Sequence, residues 1–176
     1  METNKKAIDV IYKRTSVRNY SNKKISEEQI ETILRAGMAA PSGMNIQPWR
    51  FIVIRNRKIL DNLGANLPYA KMLSMADSAI VVCGELNKSE NKDLQSLWIQ
   101  DCSAASENIL LAITSLGLAG LWTAVYPYKD RMAIVKKYCK IPENILPLNV
   151  IPMGYPAEEY SSKNKWDPSK IHKEQW

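Results

Sequence analysis

The run from Ile109 to Tyr128 carries no charged residue, and twenty uncharged positions in a row leave a chain few options. A stretch of that length either crosses a bilayer or lies inside a protein core or a subunit interface. Gly117 and Gly120 punctuate it, and Pro127 closes it. These breaks divide it into a helix that ends near Leu116 and a strand from Leu121 to Tyr126, so no membrane span is expected. The helix begins near Leu97. With Ala104, Ala105, Ile109, Ala112, Ile113 and Leu116 it keeps little polar face, which suits the centre of a core or a subunit interface. Asp101, near its start, reads as a buried, hydrogen-bonded structural acid.

A chain of 176 residues is most simply one domain, long enough to bury a core without staples. Cys83, Cys102 and Cys139 are odd in number and lack C-x-x-C spacing, which fits a reducing cytoplasm better than a disulfide framework. METNKKAID at the N-terminus has no apolar segment behind its lysines, so no secretion signal is expected. A net charge of +6 suits an anionic ligand or a nucleic-acid surface, and is equally compatible with neither.

The densest polar stretch is Pro41 to Trp49, PSGMNIQPW. Before it, Ser26 and Gln29 have capping-box spacing, and Ile30, Ile33 and Leu34 follow at helical period. Pro41 ends that helix near Ala40. After the loop, Phe51 to Ile54 reads as a buried strand. Ser42, Asn45 and Gln47 offer side chains, and Gly43 lets backbone N–H groups approach a ligand. A plain helix-to-strand turn anchored by Trp49 is the competing reading.

Nearer the N-terminus, Ala7, Ile8, Ile11 and Tyr12 form an amphipathic helix ending near Arg14. If residues 14–18 are extended, the period of two puts Arg14, Ser16 and Arg18 on one side, a face suited to phosphate. An exposed edge made soluble by arginines is the alternative. Arg57 to Ala76 reads as an irregular helical region broken by Pro68, Ala79 to Cys83 as a second buried strand, and Glu85 to Asp93 as a polar surface loop. Arg131 to Tyr138 should be a helix, and Leu148 to Ile151 a strand leading into the Met153–Pro156 turn. The tail from Glu158 to Trp176, with Lys163 and Lys165, is too polar to build a core and should lie along another surface.

No phosphate-binding G-x-x-x-x-G-K-[ST] loop and no G-x-G-x-x-G is present, and His172 is the single histidine. A zinc site or a Ser-His-Asp arrangement is therefore not expected, and no metal is. An enzyme of this composition would rely on a cofactor.

RTSVR, APSGMNIQPWRFIVI, GLAGLWTAVYP and MGYPAEE followed by two lysines, in that order, resemble the nitroreductase family of FMN-dependent oxidoreductases. The resemblance covers nearly the whole chain. It implies an α+β fold with a mixed sheet flanked by helices, and an intertwined homodimer with an FMN at each end of the interface. It implies one domain, 1–176, with the tail from about 158 extending over the partner subunit. Carried over by position, Arg14 and Ser16 grip phosphate and ribityl chain, and Arg18 lies near the flavin's pyrimidine edge. Pro41, Ser42, Gly43 and Asn45, with Gln47 behind, form the loop that reaches the flavin from the opposite subunit. Trp122, Thr123 and Ala124 form the strand passing the isoalloxazine, with a backbone N–H toward N5. Lys163 and Lys165 match the C-terminal basic pair on the phosphate. Where the family often places an asparagine, Asn66 and Tyr69 are both candidates.

The implied reaction is ping-pong: NAD(P)H passes hydride to flavin N5, and electrons then go to a nitroaromatic, quinone or similar planar acceptor. Arg18 and Thr123 are the implied catalytic positions, Arg18 by stabilising negative charge on the reduced ring. A flavin-binding redox sensor or FMN carrier without turnover is a second reading. A basic nucleic-acid module is a third, disfavoured because the aromatics do not interleave with a basic stripe. The expectation is therefore no nucleic-acid partner.

Overall fold

The computed structural model describes residues 5–86 and 96–176. Most of the expected Glu85–Asp93 loop lies outside them. Helix α1 spans Lys5–Lys13, and α2 spans Glu27–Met38 behind the Ser26 cap, whose hydroxyl accepts from the Gln29 N–H while the Gln29 side chain returns to Ser26 N–H. A 3₁₀ turn at Gly43–Asn45 leads to β1 (Trp49–Ile54), followed by α3 (Arg57–Asn66), a second 3₁₀ turn at Lys71–Ser74, and β2 (Ser78–Glu85). The long helix α4 is Trp98–Ser115; β3 (Ala119–Gly120), β4 (Thr123–Ala124), α5 (Lys129–Cys139) and β5 (Ile145–Gly154) follow.

The sheet order is β1-β2-β5-β3, with β4 also on β5. β1 and β5 run one way and β2, β3 and β4 the other, so each neighbouring pair is antiparallel. Of the expected mixed character, the described residues of one chain show a single parallel bridge, Ser16 with Gly120. Of the strand expected over Leu121–Tyr126 only Thr123–Ala124 forms, as β4, and a second short piece, β3, precedes the expected range. A bulge explains part of this: Val82 pairs Asn149 and Cys83 pairs Pro147, leaving Leu148 unmatched, and its carbonyl accepts from both Val125 and Tyr126 N–H.

β2 is buried on both faces because its alternate residues serve two cores. Ile80 and Val82 pack with Ile30 and Ile33 of α2 and with Ile109 and Ile113 of α4. Ala79, Val81 and Cys83 pack with Leu60 and Leu63 of α3 and Val135 of α5. No described helix is long and apolar enough to cross a membrane.

One charged clamp joins these parts. The Asp77 side chain is 3% exposed; its carboxylate accepts from Ile25 N–H at 3.2 Å and lies 3.0 Å from Lys24 and 3.6 Å from Arg55, whose guanidinium also donates to Ile25 O at 2.8 Å. Asp77→Ala leaves the Ile25 N–H without its acceptor and takes one charge partner from Arg55, which keeps Ile25 O and the Glu27 carboxylate, and urea denaturation should read a loss of about 2 kcal/mol. A loss under about 0.5 kcal/mol would reduce the clamp to a surface pair.

Candidate functional site

Arg14 does not belong to the extended segment. Its N–H still donates to Val10 O at 3.0 Å, continuing α1, and its guanidinium lies 3.7 Å from the Glu107 carboxylate of α4. From Ser16 the chain is extended: Ser16 bridges Gly120, Val17 N–H donates to Gly120 O, and Tyr20 bridges Pro156. Val17 and Tyr20 are buried while Ser16 and Arg18 are exposed, so the expected period of two holds for Ser16 and Arg18 alone. The Tyr20 hydroxyl lies 2.9 Å from Val17 O and 3.3 Å from Pro152 O, and burial holds its pKa well above the usual tyrosine range, so it remains a hydrogen-bond donor that locks the strip in place.

The strip brings Ser16 and Arg18 to the edge formed by Gly120, next to β4. There Trp122 and Ala124 are half-buried. Thr123 is 7% exposed, and its hydroxyl is buried without a partner. The Thr123 side chain thus points inward, leaving any contact with a ligand to its backbone. Arg131, absent from the sequence-based set, donates to the Ala124 carbonyl at 3.1 Å and lies over the Tyr128 ring. It braces β4 from behind.

The Pro41–Trp49 loop takes an unusual path. Met44, Asn45 and Gln47 have φ of 50°, 56° and 53°. Each non-glycine residue in that left-handed region costs about 1 kcal/mol or more, less for asparagine, so something must hold the shape. Ser42 Oγ accepts from Gln47 N–H at 3.0 Å, and Gln47 Nε2 donates to Asn45 Oδ1 at 3.1 Å. Gly43, expected to let backbone N–H groups approach a ligand, has its own N–H committed to the protein: it donates to the Asp101 carboxylate at 3.0 Å. Asp101 is 7% exposed, the buried structural acid that its place in an apolar helix suggested. Its partner is 58 residues away, and no local sequence signal names it. Pro41, Asn45 and Gln47 are exposed and Ser42 half-exposed.

Tyr69 is 87% exposed with φ of 57°, while Asn66 bonds back to Asn62 O within α3. Lys163 and Lys165 are exposed, and neither has an ion pair among the described residues. Burial pushes the thiols of Cys83 and Cys102 up to about 12 and that of Cys139 to about 11, so none is a ready nucleophile at neutral pH. No cluster that could hold a metal occurs among the described residues.

Helix α4 carries both anchors, Asp101 for the loop and Glu107 for Arg14. Six residues separate them, about 9 Å along the axis and about 120° around it, so loop and arginine leave the helix on different sides. Ser16 and Arg18, beside the half-buried Trp122 and Ala124, suit a planar ligand carrying polar or anionic groups, with Arg14 two residues before them at the end of α1. An α+β protein of this build has the class of an oxidoreductase, as comparison with known proteins shows. A profile of the nitroreductase family matches residues 11–67 and 64–155, and the chain belongs to that family.

A protein of Methanothermobacter thermautotrophicus, provisionally named an NADH dehydrogenase/NAD(P)H nitroreductase, is 43% identical over 96% of this chain and 87% of its own length. A crystal structure from Bacteroides thetaiotaomicron with the same provisional name has a TM-score of 0.93 at 52% identity, covering 99% of this chain and all of the other. An FMN-dependent nitroreductase from Clostridium difficile has a TM-score of 0.88 at 28% identity, covering 96% and 99%.

Proposed function

We propose that the chain binds FMN and uses it to oxidise NAD(P)H and reduce nitroaromatic, quinone or similar planar acceptors. The observation that carries this reading is the Ser16–Gly120 bridge, which sets Ser16 and Arg18 of RTSVR beside the strand of GLWTA. Two motifs from distant parts of the sequence thereby meet as one edge. FMN, when bound, supplies the two-electron chemistry, accepting hydride at N5 and passing electrons onward. The protein supplies binding and electrostatics. Arg14 and Ser16, with Lys163 and Lys165, would hold the phosphate dianion and ribityl hydroxyls. Arg18 would set a fixed positive charge at the pyrimidine edge, where electron density accumulates on reduction. Trp122 and Ala124 would flank the ring, with Thr123 contributing backbone. Donor and acceptor would use the same place in turn, the ping-pong order.

The site belongs to a homodimer in this reading. β1 is an edge strand of the sheet, and Tyr160, Trp166, Ile171 and Trp176 of the tail are exposed. Such apolar groups seek cover, and the tail of a 1–176 domain extending over a partner subunit would provide it. The divergent directions of the loop and Arg14 support a site completed by the partner's loop. Three free thiols fit a cytoplasmic setting.

The direct test is the visible spectrum of the purified protein under nitrogen. Flavin bands should bleach with NADH or NADPH and return with a quinone or nitroaromatic. Bands that persist would make the protein a flavin sensor or carrier, and absence of bands after adding FMN would remove the site assignment.

A further inference from the structure

We propose that Asp101 is a positioning residue for the cofactor site: from inside α4 its carboxylate fixes the backbone of residues 43–47, left-handed at Met44, Asn45 and Gln47, in the shape that meets the flavin. The inference rests on the reading of the Ser42–Asn45 loop as part of the FMN site. Asp101 Oδ1 lies 3.0 Å from Gly43 N, and the residue is 7% exposed. One turn earlier on the same helix face, Leu97 covers Gly43 so closely that a Cβ there would fall 2.8 Å from Leu97 Cδ1. Leu97 and Asp101 therefore seat the same residue from above and from the side. The bonds among Ser42, Asn45 and Gln47 close the loop on itself, whereas the bond to Asp101 ties it to the body of the protein. Three left-handed non-glycine residues in four positions need that tie, because relaxing any of them re-aims the Ser42 and Asn45 side chains. A carboxylate is the strongest acceptor available for the purpose, and its removal leaves a partly buried N–H unpaired.

The test uses the full chain, with and without FMN. Single-amide hydrogen exchange on the flavin-free wild type should show Gly43 slowed at least about tenfold relative to an open peptide, as expected for a bonded N–H. In Asp101→Ala that slowing should disappear, and FMN affinity, read by flavin fluorescence, should fall about 10–100-fold, the loss expected for one charge-assisted bond. Asp101→Asn, which keeps an acceptor oxygen without charge, should recover affinity to within a few fold at an unchanged melting temperature. If Asp101→Ala does not fold, Asp101→Leu, which fills the space without an acceptor, takes its place in both measurements. The proposal is overturned if wild-type Gly43 exchanges as an open amide. It is also overturned if a folded Asp101→Ala binds FMN like wild type while Ser42→Ala and Asn45→Ala weaken it. Should those two loop variants also bind FMN like wild type, the loop is not part of the flavin site and the underlying reading falls with it.

Discussion

Arg14→Ala should purify without flavin, with FMN affinity lowered about 100-fold or more, while Arg18→Ala should keep its FMN and accept hydride about 100-fold more slowly. The difference follows from what each arginine has around it. Arg14 leaves the end of α1 with its side chain only 18% exposed, held by Glu107 on α4. A guanidinium pre-aimed in that way loses little freedom when it takes a phosphate, and each charge-assisted bond contributes about 1.5–3 kcal/mol. Arg18 is exposed on the outer side of the strip locked by Tyr20. Its contribution would appear only as negative charge builds, where loss of one fixed stabilising group costs about 10²–10³ in rate. Flavin content and anaerobic bleaching by NADH or NADPH measure the two effects separately. Equal flavin occupancy and normal rates in both variants would sink the assignment. Arg14→Lys, a point charge without the bidentate fork, should fall between wild type and alanine.

Gly84→Ala should be the most damaging single methyl in the fold. A Cβ at Gly84 would lie 2.2 Å from Cε3, 2.9 Å from Cδ2 and 3.0 Å from Cζ3 of Trp98. The indole cannot swing away freely, since Trp98 is 5% exposed and stands edge-on to Tyr126 with centroids 5.0 Å apart. The strand cannot retreat either, because Gly84 is paired with Trp49 on one side and Leu146 on the other. Helix α4 must move instead, starting from its first residue. Such overpacking costs about 3 kcal/mol, or roughly 6–12 °C in Tm for a chain of this size. Gly117→Ala is the comparison: nothing lies within 4 Å, but φ is +70°, so only about 1 kcal/mol of backbone strain is expected. Similar Tm losses in the two variants would show that the indole yields.

The elements that sequence made legible are those whose causes are local. The Ser26–Gln29 box and Pro41 bound α2 within about two residues, and the apolar run from Leu97 yields α4 almost residue for residue. Strand β5 is less readable, because Pro147 and Pro152 sit inside it against Cys83 and Ala79, where prolines ordinarily argue against a central strand. The division of β3 from β4 falls where Leu121 faces Pro152 of β5, which has no N–H to give the ladder, and that position is visible only once the two strands are paired. The motifs of the site were legible as residue types but not as relations. Nothing near Gly43 announces that its N–H faces Asp101, nothing in RTSVR separates Arg14 from Arg18, and Thr123 turns inward because Val150 lies opposite it in the ladder. Those relations are tertiary, and a pattern of period two or 3.6 carries no information about them.

β5 is the strand on which β2, β3 and β4 all pair. A chain made from its N-terminus can join β1 to β2 early, yet it has no central strand until Gly154 has been added. Until then β2, apolar on both faces, waits with one edge open. The protein's exposure to aggregation during synthesis is therefore set by the delay between translating Glu85 and translating Gly154, and slowing the ribosome within that interval prolongs the hazard without changing the final fold.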